Sequence, residues 1–388
     1  RSRCSAMGEI DVKRYDRQIR LWGLETQRGL LGARVLLLRA TGLCNEIAKN
    51  LVLAGVGHVC IQDPCAVTES DLEAGGVFSI TQTDVGRNRA SAMADGLRVL
   101  NPQVEISSTD SEMSTLDCSF IQTFHFVVGT HGSGAVVELM KCTERFCDGE
   151  RAGDDPALQE RSMKRLRTEL DEAVNLKNGL HVELPARHPA YMPRMLAAGA
   201  LGLFGFCVLD LHDNKYILKS NKATAAAGNT SRDVAPIEHR IIYPSIAQAF
   251  QVNWGALDSR VPRLYCALQL LVEQASKVTT EEGAIEHLRA SKLAEANLSE
   301  GFLREAVDAE FVAKVAEHNG MEVPAVCAIM GGMVASEVVK IISGQEAPIN
   351  NVFLFDATTD SGGAGVVVRM GPSFKCLWGT DRGKPAAC

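Results

Sequence analysis

No two cysteines of this chain form a C-x-x-C pair; the nearest, Cys60 with Cys65 and Cys142 with Cys147, are five positions apart. That spacing departs from the usual structural zinc sites. A chain of 388 residues is also too long to depend on the disulfide staples of small secreted scaffolds. The twelve cysteines therefore read as small buried hydrophobes and stray thiols, and no metal site is expected. An excess of positive charge is lacking too. The net charge of −7 and the isoelectric point near 5.8 argue against nucleic acid as a partner, since such domains carry a basic surface. No uninterrupted apolar run approaches the roughly 20 residues of a bilayer span. The first ten residues have no apolar stretch of the kind a signal peptide needs. The expectation is a protein that stays inside the cell and off membranes. No internal repeat is visible.

What is present is the composition of a globular chain, 46% hydrophobic and 22% charged, which predicts a buried core. Arg34-Val-Leu-Leu-Leu38 is a continuous apolar run, as a strand buried on both faces requires. A short turn leads to a helix over 45–54, with Ile47, Ala48, Leu51 and Val52 on its inner face. Gly55 and Gly57 end it. His58-Val-Cys-Ile-Gln62 is the next strand, followed by Asp63. A helix is predicted over 85–100, with Asp84 as its cap, then strands at 104–107 and 124–128. Further strands are read at 205–209, 216–218, 240–243, 352–355 and 366–370. Helices are read at 262–277, 303–319 and 324–343, the last apolar almost all round and so predicted to be buried. Alternating strands and helices with short turns predict an α/β, doubly wound, mostly parallel sheet of the Rossmann type. Between residues 148 and 191 the composition turns highly charged. Met163, Leu166, Leu170 and Ala173 recur there at helical spacing, so that stretch reads as a solvated surface helix or a loop.

A phosphate-binding turn places glycines between the first strand and its helix, so that phosphate rests on the helix N-terminus. In Arg39-Ala-Thr-Gly-Leu-Cys-Asn-Glu46 only Gly42 survives. Asp63 lies about 20 residues on, where an acidic residue can hold a ribose hydroxyl; it can equally be a strand-end turn residue. A self-sufficient NAD- or ATP-dependent enzyme needs the intact turn, which is absent.

The more specific pattern is upstream, in Arg14-Tyr-Asp-Arg-Gln-Ile-Arg-Leu-Trp-Gly23. With Asn45-Glu-Ile-Ala-Lys-Asn50, Val85-Gly-Arg-Asn-Arg-Ala90, Tyr243-Pro-Ser-Ile246, Val323-Pro-Ala-Val-Cys-Ala-Ile-Met-Gly-Gly332 and Asn350-Asn-Val-Phe-Leu-Phe-Asp356, it resembles the ubiquitin-like-protein activating enzymes. The resemblance covers most of the chain outside 148–191 and the residues after Pro372. It implies an adenylation-type domain in two parts, 1–147 and 192–372, an inserted charged segment over 148–191, and a tail over 373–388.

In that family, paired α/β halves adenylate the C-terminus of a small modifier with Mg-ATP. The departures here match the half that binds no nucleotide. Asp71-Leu-Glu-Ala-Gly-Gly76 stands where active halves carry Asn-Leu-x-Arg-Gln. His131, in Gly129-Thr-His-Gly132, stands where they carry an aspartate for Mg-ATP, and Arg89 where they carry a phosphate-contacting lysine. The resemblance thus implies no cofactor bound by this chain alone, with Gly42, Asp63 and Arg89 as remnants and Mg-ATP held in the partner subunit. Length points to the SUMO system, while the degenerate Arg39-Ala-Thr41 turn also resembles the corresponding subunit for the Nedd-type modifier, which stays as the alternative. The implied partners are then the large catalytic subunit of the SUMO-activating enzyme and SUMO itself, in nucleus and cytoplasm. The implied functional residues are Arg17 and, less directly, Arg20, which reach in trans to ATP phosphate as arginine fingers do. The competing readings are that Arg17 caps a helix or pairs with Asp16 at the surface, and that the chain is a scaffold without a chemical role.

Overall fold

The computed structural model describes residues 10–73, 77–152, 192–218, 237–257, 261–277, 283–296, 307–358 and 364–368. The helix predicted within 148–191 and the tail after 372 lie outside them.

Eight strands form one sheet: β1 (Arg34–Leu38), β2 (His58–Gln62), β3 (Glu105–Thr109), β4 (Phe126–Gly129), β5 (Arg194–Leu201), β6 (Phe204–Asp210), β9 (Val352–Asp356) and β10 (Ala364–Val368). Their order is β10-β9-β6-β5-β4-β1-β2-β3. The five strands from β5 to β3 run parallel, and β6, β9 and β10 add antiparallel pairings. The doubly wound, mostly parallel α/β sheet is as the alternation of elements predicts. Two further strands, β7 (Asp213–Leu218) and β8 (Ile237–Ile242), pair separately as a ribbon.

Continuous apolar runs suit this architecture because both faces are covered. Leu36 and Leu38 join one core with Val127, Ala197 and Phe206, while Val35 and Leu37 join the other with Val59, Phe126 and Leu196. Helix α3 (Gly42–Ala54) covers the second face, and its Ile47, Leu51 and Val52 are wholly buried. Burial of each such side chain is worth about 1.5–3 kcal/mol.

Three expectations need correction. The helix predicted over 85–100 starts at Arg89, capped by the Asn88 side chain on the Ser91 N–H. Asp84 instead ends a 3-10 turn in a capping box with Thr81. The Pro324–Ser343 helix, at 20 residues and mean hydropathy 1.8, is long and apolar enough to cross a bilayer, although Glu337 and Lys340 interrupt its apolar run. It packs on α3 and the sheet, yet it is not buried all round. Pro324, Ala325, Ala328 and Ile329 are exposed, while Glu337 is buried, paired with Lys340 and accepting the Ile349 N–H.

β1 is flanked in parallel by β2 on one side and β4 on the other. The chain leaves β1 for one side of the sheet and later returns on the other. The crevice above the carboxyl ends of β1 and β4 is therefore the topological switch point, where such folds bind ligands.

Candidate functional site

The crevice begins where β1 ends. Arg39 turns the chain with φ +69°, a left-handed conformation uncommon for a residue with a Cβ. Thr41 caps α3 by accepting the Cys44 N–H at 3.2 Å. The next N–H groups, of Gly42 and Leu43, point into the crevice at the positive end of the helix dipole. Both are taken by one carboxylate from the far end of the chain. Gly42 N donates to Glu322 Oε2 at 2.5 Å and Leu43 N to Glu322 Oε1 at 3.0 Å. Burial pushes the Glu322 carboxyl above its ordinary range, against the hydrogen bonds from Leu43, Thr41 and Gly42. Across the crevice Asn319 does the same for the Gly132–Ala152 helix, accepting the Ser133 N–H at 3.1 Å and donating to Ser133 Oγ at 2.9 Å. Where phosphate would sit, the chain has placed its own carboxylate and amide. Both helix heads are thus satisfied from within the chain.

Asp63 and Arg89 are brought together with Gly42, but as internal struts. Asp63 is fully buried and accepts the Ala40 N–H at 2.8 Å, the Cys65 N–H at 2.9 Å and the Arg89 guanidinium at 2.7 Å. Arg89 spends its remaining charge on Asp71 at 3.0 Å. One aspartate thus ties the β1–α3 turn to the Arg89–Arg98 helix. Asp63→Asn keeps the shape but removes the charge opposite Arg89. It should cost about 2 kcal/mol of stability, the scale of hydrogen bonds to charged groups, read as a lowered urea midpoint with unchanged slope. A midpoint equal to wild type would show the strut to be dispensable.

His131 lies exposed at the mouth of the crevice. Desolvation, then the Arg39 and Arg89 cations, hold its imidazole below its ordinary value. A neutral imidazole is a poor magnesium ligand beside a carboxylate. Among the described residues, no group of three or more His, Cys, Asp or Glu is placed to hold a metal ion.

Arg17 and Arg20 lie elsewhere, on α1 (Asp16–Trp22). Tyr15, just before it, is buried and accepts the Asn101 Nδ2 hydrogen at 2.8 Å. Its ring fills the space beside Gly55, where any Cβ would come within 2.7 Å of it. Gly55, at φ +82°, is the cap at the C-terminal end of α3. The tyrosine therefore anchors α1 at the opposite end of α3 from Gly42, about 18 Å away at 1.5 Å per residue. Arg17, two residues on and so roughly opposite on the helix, is exposed. Among the described residues it has no hydrogen bond or ion pair, while Asp16 pairs with Arg20 at 3.1 Å. The surface pair suggested for Arg17 thus belongs to Arg20.

Sequence reasoning missed Glu322 and Asn319. They meet α3 and Ser133 across separations of 280 and 186 residues, and no local pattern marks them.

In comparison with known proteins, residues 15–374 match the ThiF family. The chain is 28% identical over 352 residues to DNA damage tolerance protein rad31 of Schizosaccharomyces pombe, covering 89% of this chain and 94% of that protein. It is 27% identical over 392 residues to SUMO-activating enzyme subunit 1 of Homo sapiens, covering 94% and 97%. It is 28% identical over 360 residues to SUMO-activating enzyme subunit 1B-1 of Arabidopsis thaliana, covering 91% and 95%.

Proposed function

The chain belongs to the ThiF family, and from that premise we propose that it is the half of a heterodimeric modifier-activating enzyme that binds no nucleotide. The observation that carries this reading is Glu322, whose carboxylate takes the two N–H groups at the head of α3. With Arg89 paired to Asp63 and Asp71, the cradle offers phosphate neither these two N–H groups nor this arginine. Mg-ATP is then held by the partner, the large catalytic subunit, and the modifier is SUMO, in keeping with the names of the relatives. The pair acts in the nucleus and cytoplasm.

Arg17 is this chain's contribution to the chemistry. Anchored by Tyr15 far from its own cradle and free of an internal ion pair among the described residues, it is available to another subunit. Its planar, permanent charge offsets phosphate charge as pyrophosphate departs from the partner's site. Arg20, tied to Asp16, plays a secondary part. The exposed face of the Pro324–Ser343 helix and α1 supply docking surface of the kind an obligate pair needs, typically above about 2,000 Å² in total.

Coexpression with a large subunit of this type should yield a stable pair in size-exclusion chromatography. Modifier-dependent pyrophosphate exchange should require both halves. Exchange by this chain alone, or a chain that stays monomeric beside its partner, would overturn the reading.

A further inference from the structure

α1 carries Arg17 yet has little core of its own. It is seven residues long and none of them is fully buried, whereas isolated helices shorter than about 12 residues are marginal in water. Its place is therefore set by what grips its two ends. At the far end Trp22 leans on the core, and its carbonyl accepts the Thr26 hydroxyl at 2.8 Å and Gln345 Nε2 at 2.9 Å. At the near end, beside Arg17, the polar grip is one buried side chain, Asn101, which lies between the Arg89–Arg98 helix and Pro102. Its Nδ2 donates to Tyr15 Oη at 2.8 Å and to Val52 O at 2.9 Å. Its Oδ1 accepts Arg14 Nη1 and the Gln103 N–H, both at 3.2 Å. An amide has two N–H donors and two acceptor lone pairs, so all four are used.

We propose that Asn101 is a positioning residue for adenylation, an inference that rests on the reading of Arg17 as acting in trans: Asn101 holds the first turn of α1 so that Arg17 meets the partner's phosphate in one orientation. Two of its four bonds go to the residues just before α1, Arg14 and Tyr15. The other two go to the last turn of α3 and to the chain entering β3, which are fixed parts of the fold. The Tyr15 carbonyl accepts the Ile19 N–H at 2.8 Å, so the direction in which Tyr15 is held sets the direction of the first turn. The Tyr15 ring against Gly55 is an apolar contact and has no directional preference. The hydrogen bonds from Asn101 are directional and supply what the ring cannot. A displacement of about 1 Å at a reacting site can cost about 100-fold in rate, so a buried residue that touches no substrate can still govern the step.

The test uses the assembled heterodimer, with Asn101→Ala and Tyr15→Phe each made alone and together with Arg17→Ala, at a temperature well below the melting of every variant. Asn101→Ala should lower the maximal rate of modifier-dependent pyrophosphate exchange about fivefold, less than Arg17→Ala itself. KM for Mg-ATP and for the modifier should stay within about twofold, because only an interaction made in the transition state is disturbed. Tyr15→Phe keeps the ring on Gly55 and removes the hydroxyl, and should cost about threefold. Neither change should slow the Arg17→Ala pair any further, since a residue that acts through Arg17 then has nothing left to position. An Asn101→Ala pair with the wild-type rate overturns the proposal and leaves the in-trans reading standing. So does an Asn101→Ala pair that loses the same factor with and without Arg17, which is the mark of a general structural loss. If Asn101→Ala does not fold, Tyr15→Phe decides by the same two criteria. An Arg17→Ala pair with the wild-type rate overturns the in-trans reading and this proposal together.

Discussion

Arg17→Ala should leave the fold and the assembled pair intact and slow modifier-dependent pyrophosphate exchange by roughly 10- to 1,000-fold, equivalent to about 1.4–4 kcal/mol of charge stabilisation. Stability is spared because Arg17 is exposed and has no ion pair of its own among the described residues; removing such a side chain changes little. The anchor is separate from the charge, since Tyr15 is buried against Gly55 and bonded to Asn101 whatever stands at position 17. Lysine at that position should restore only part of the rate, because an ammonium lacks the planar fork that grips phosphate. Arg20→Ala should have a smaller effect, since Arg20 is held by Asp16. An unchanged rate for Arg17→Ala in a pair of confirmed assembly would leave the chain as a scaffold.

A loss of similar size, in stability rather than rate, is expected of Gly57→Ala. Gly57 links α3 to β2, with its N–H on Leu30 O at 2.8 Å and its carbonyl accepting the Glu105 N–H at 3.0 Å. A Cβ there would lie 1.8 Å from Leu31 O and 2.7 Å from Leu31 C. These are backbone atoms of α2 (Leu24–Gly32), the helix that feeds β1, and they cannot rotate away. α2 would have to move away from the turn between α3 and β2, costing about 3 kcal/mol, at the top of the usual range for overpacking. Gly32, at the end of the same helix, would meet nothing within 4 Å of an added Cβ. Gly32→Ala should be neutral or stabilise by up to about 1 kcal/mol. Urea melts of both variants check the contrast; equal midpoints would mean that the close approach at Gly57 is relieved at no cost.

The sheet was legible wherever a strand is both apolar and β-branched or leucine-rich, as at Arg34–Leu38 and His58–Gln62. It was not legible at β5, a fully buried central strand reading Arg-Met-Leu-Ala-Ala-Gly-Ala-Leu. Its small residues answer to tertiary neighbours. A Cβ on Gly199 would come within 2.5 Å of the Phe206 ring and 2.8 Å of Gly132 Cα, so the strand sacrifices propensity to let a turn and an aromatic ring approach. The Ala284–Glu295 helix also went unread, having no buried residue to mark a face. At the site, the depleted glycine turn, His131 and the Tyr-Asp-Arg motif are local signals and could be read directly. That Asp63 and Arg89 satisfy each other, and that Glu322 fills the cradle, are consequences of chain segments meeting in space. The sequence shows that only Gly42 stands in the turn but not that Glu322 takes the N–H groups at the helix head.

On the proposed reading, this chain's own cradle takes no nucleotide while its partner's does. Calorimetric titration of Mg-ATP tests it most directly, first into the isolated chain and then into the purified heterodimer. The isolated chain should give no binding heat, and the pair should bind one equivalent. Micromolar binding to the isolated chain, about −8 kcal/mol, or two equivalents per pair, would contradict it.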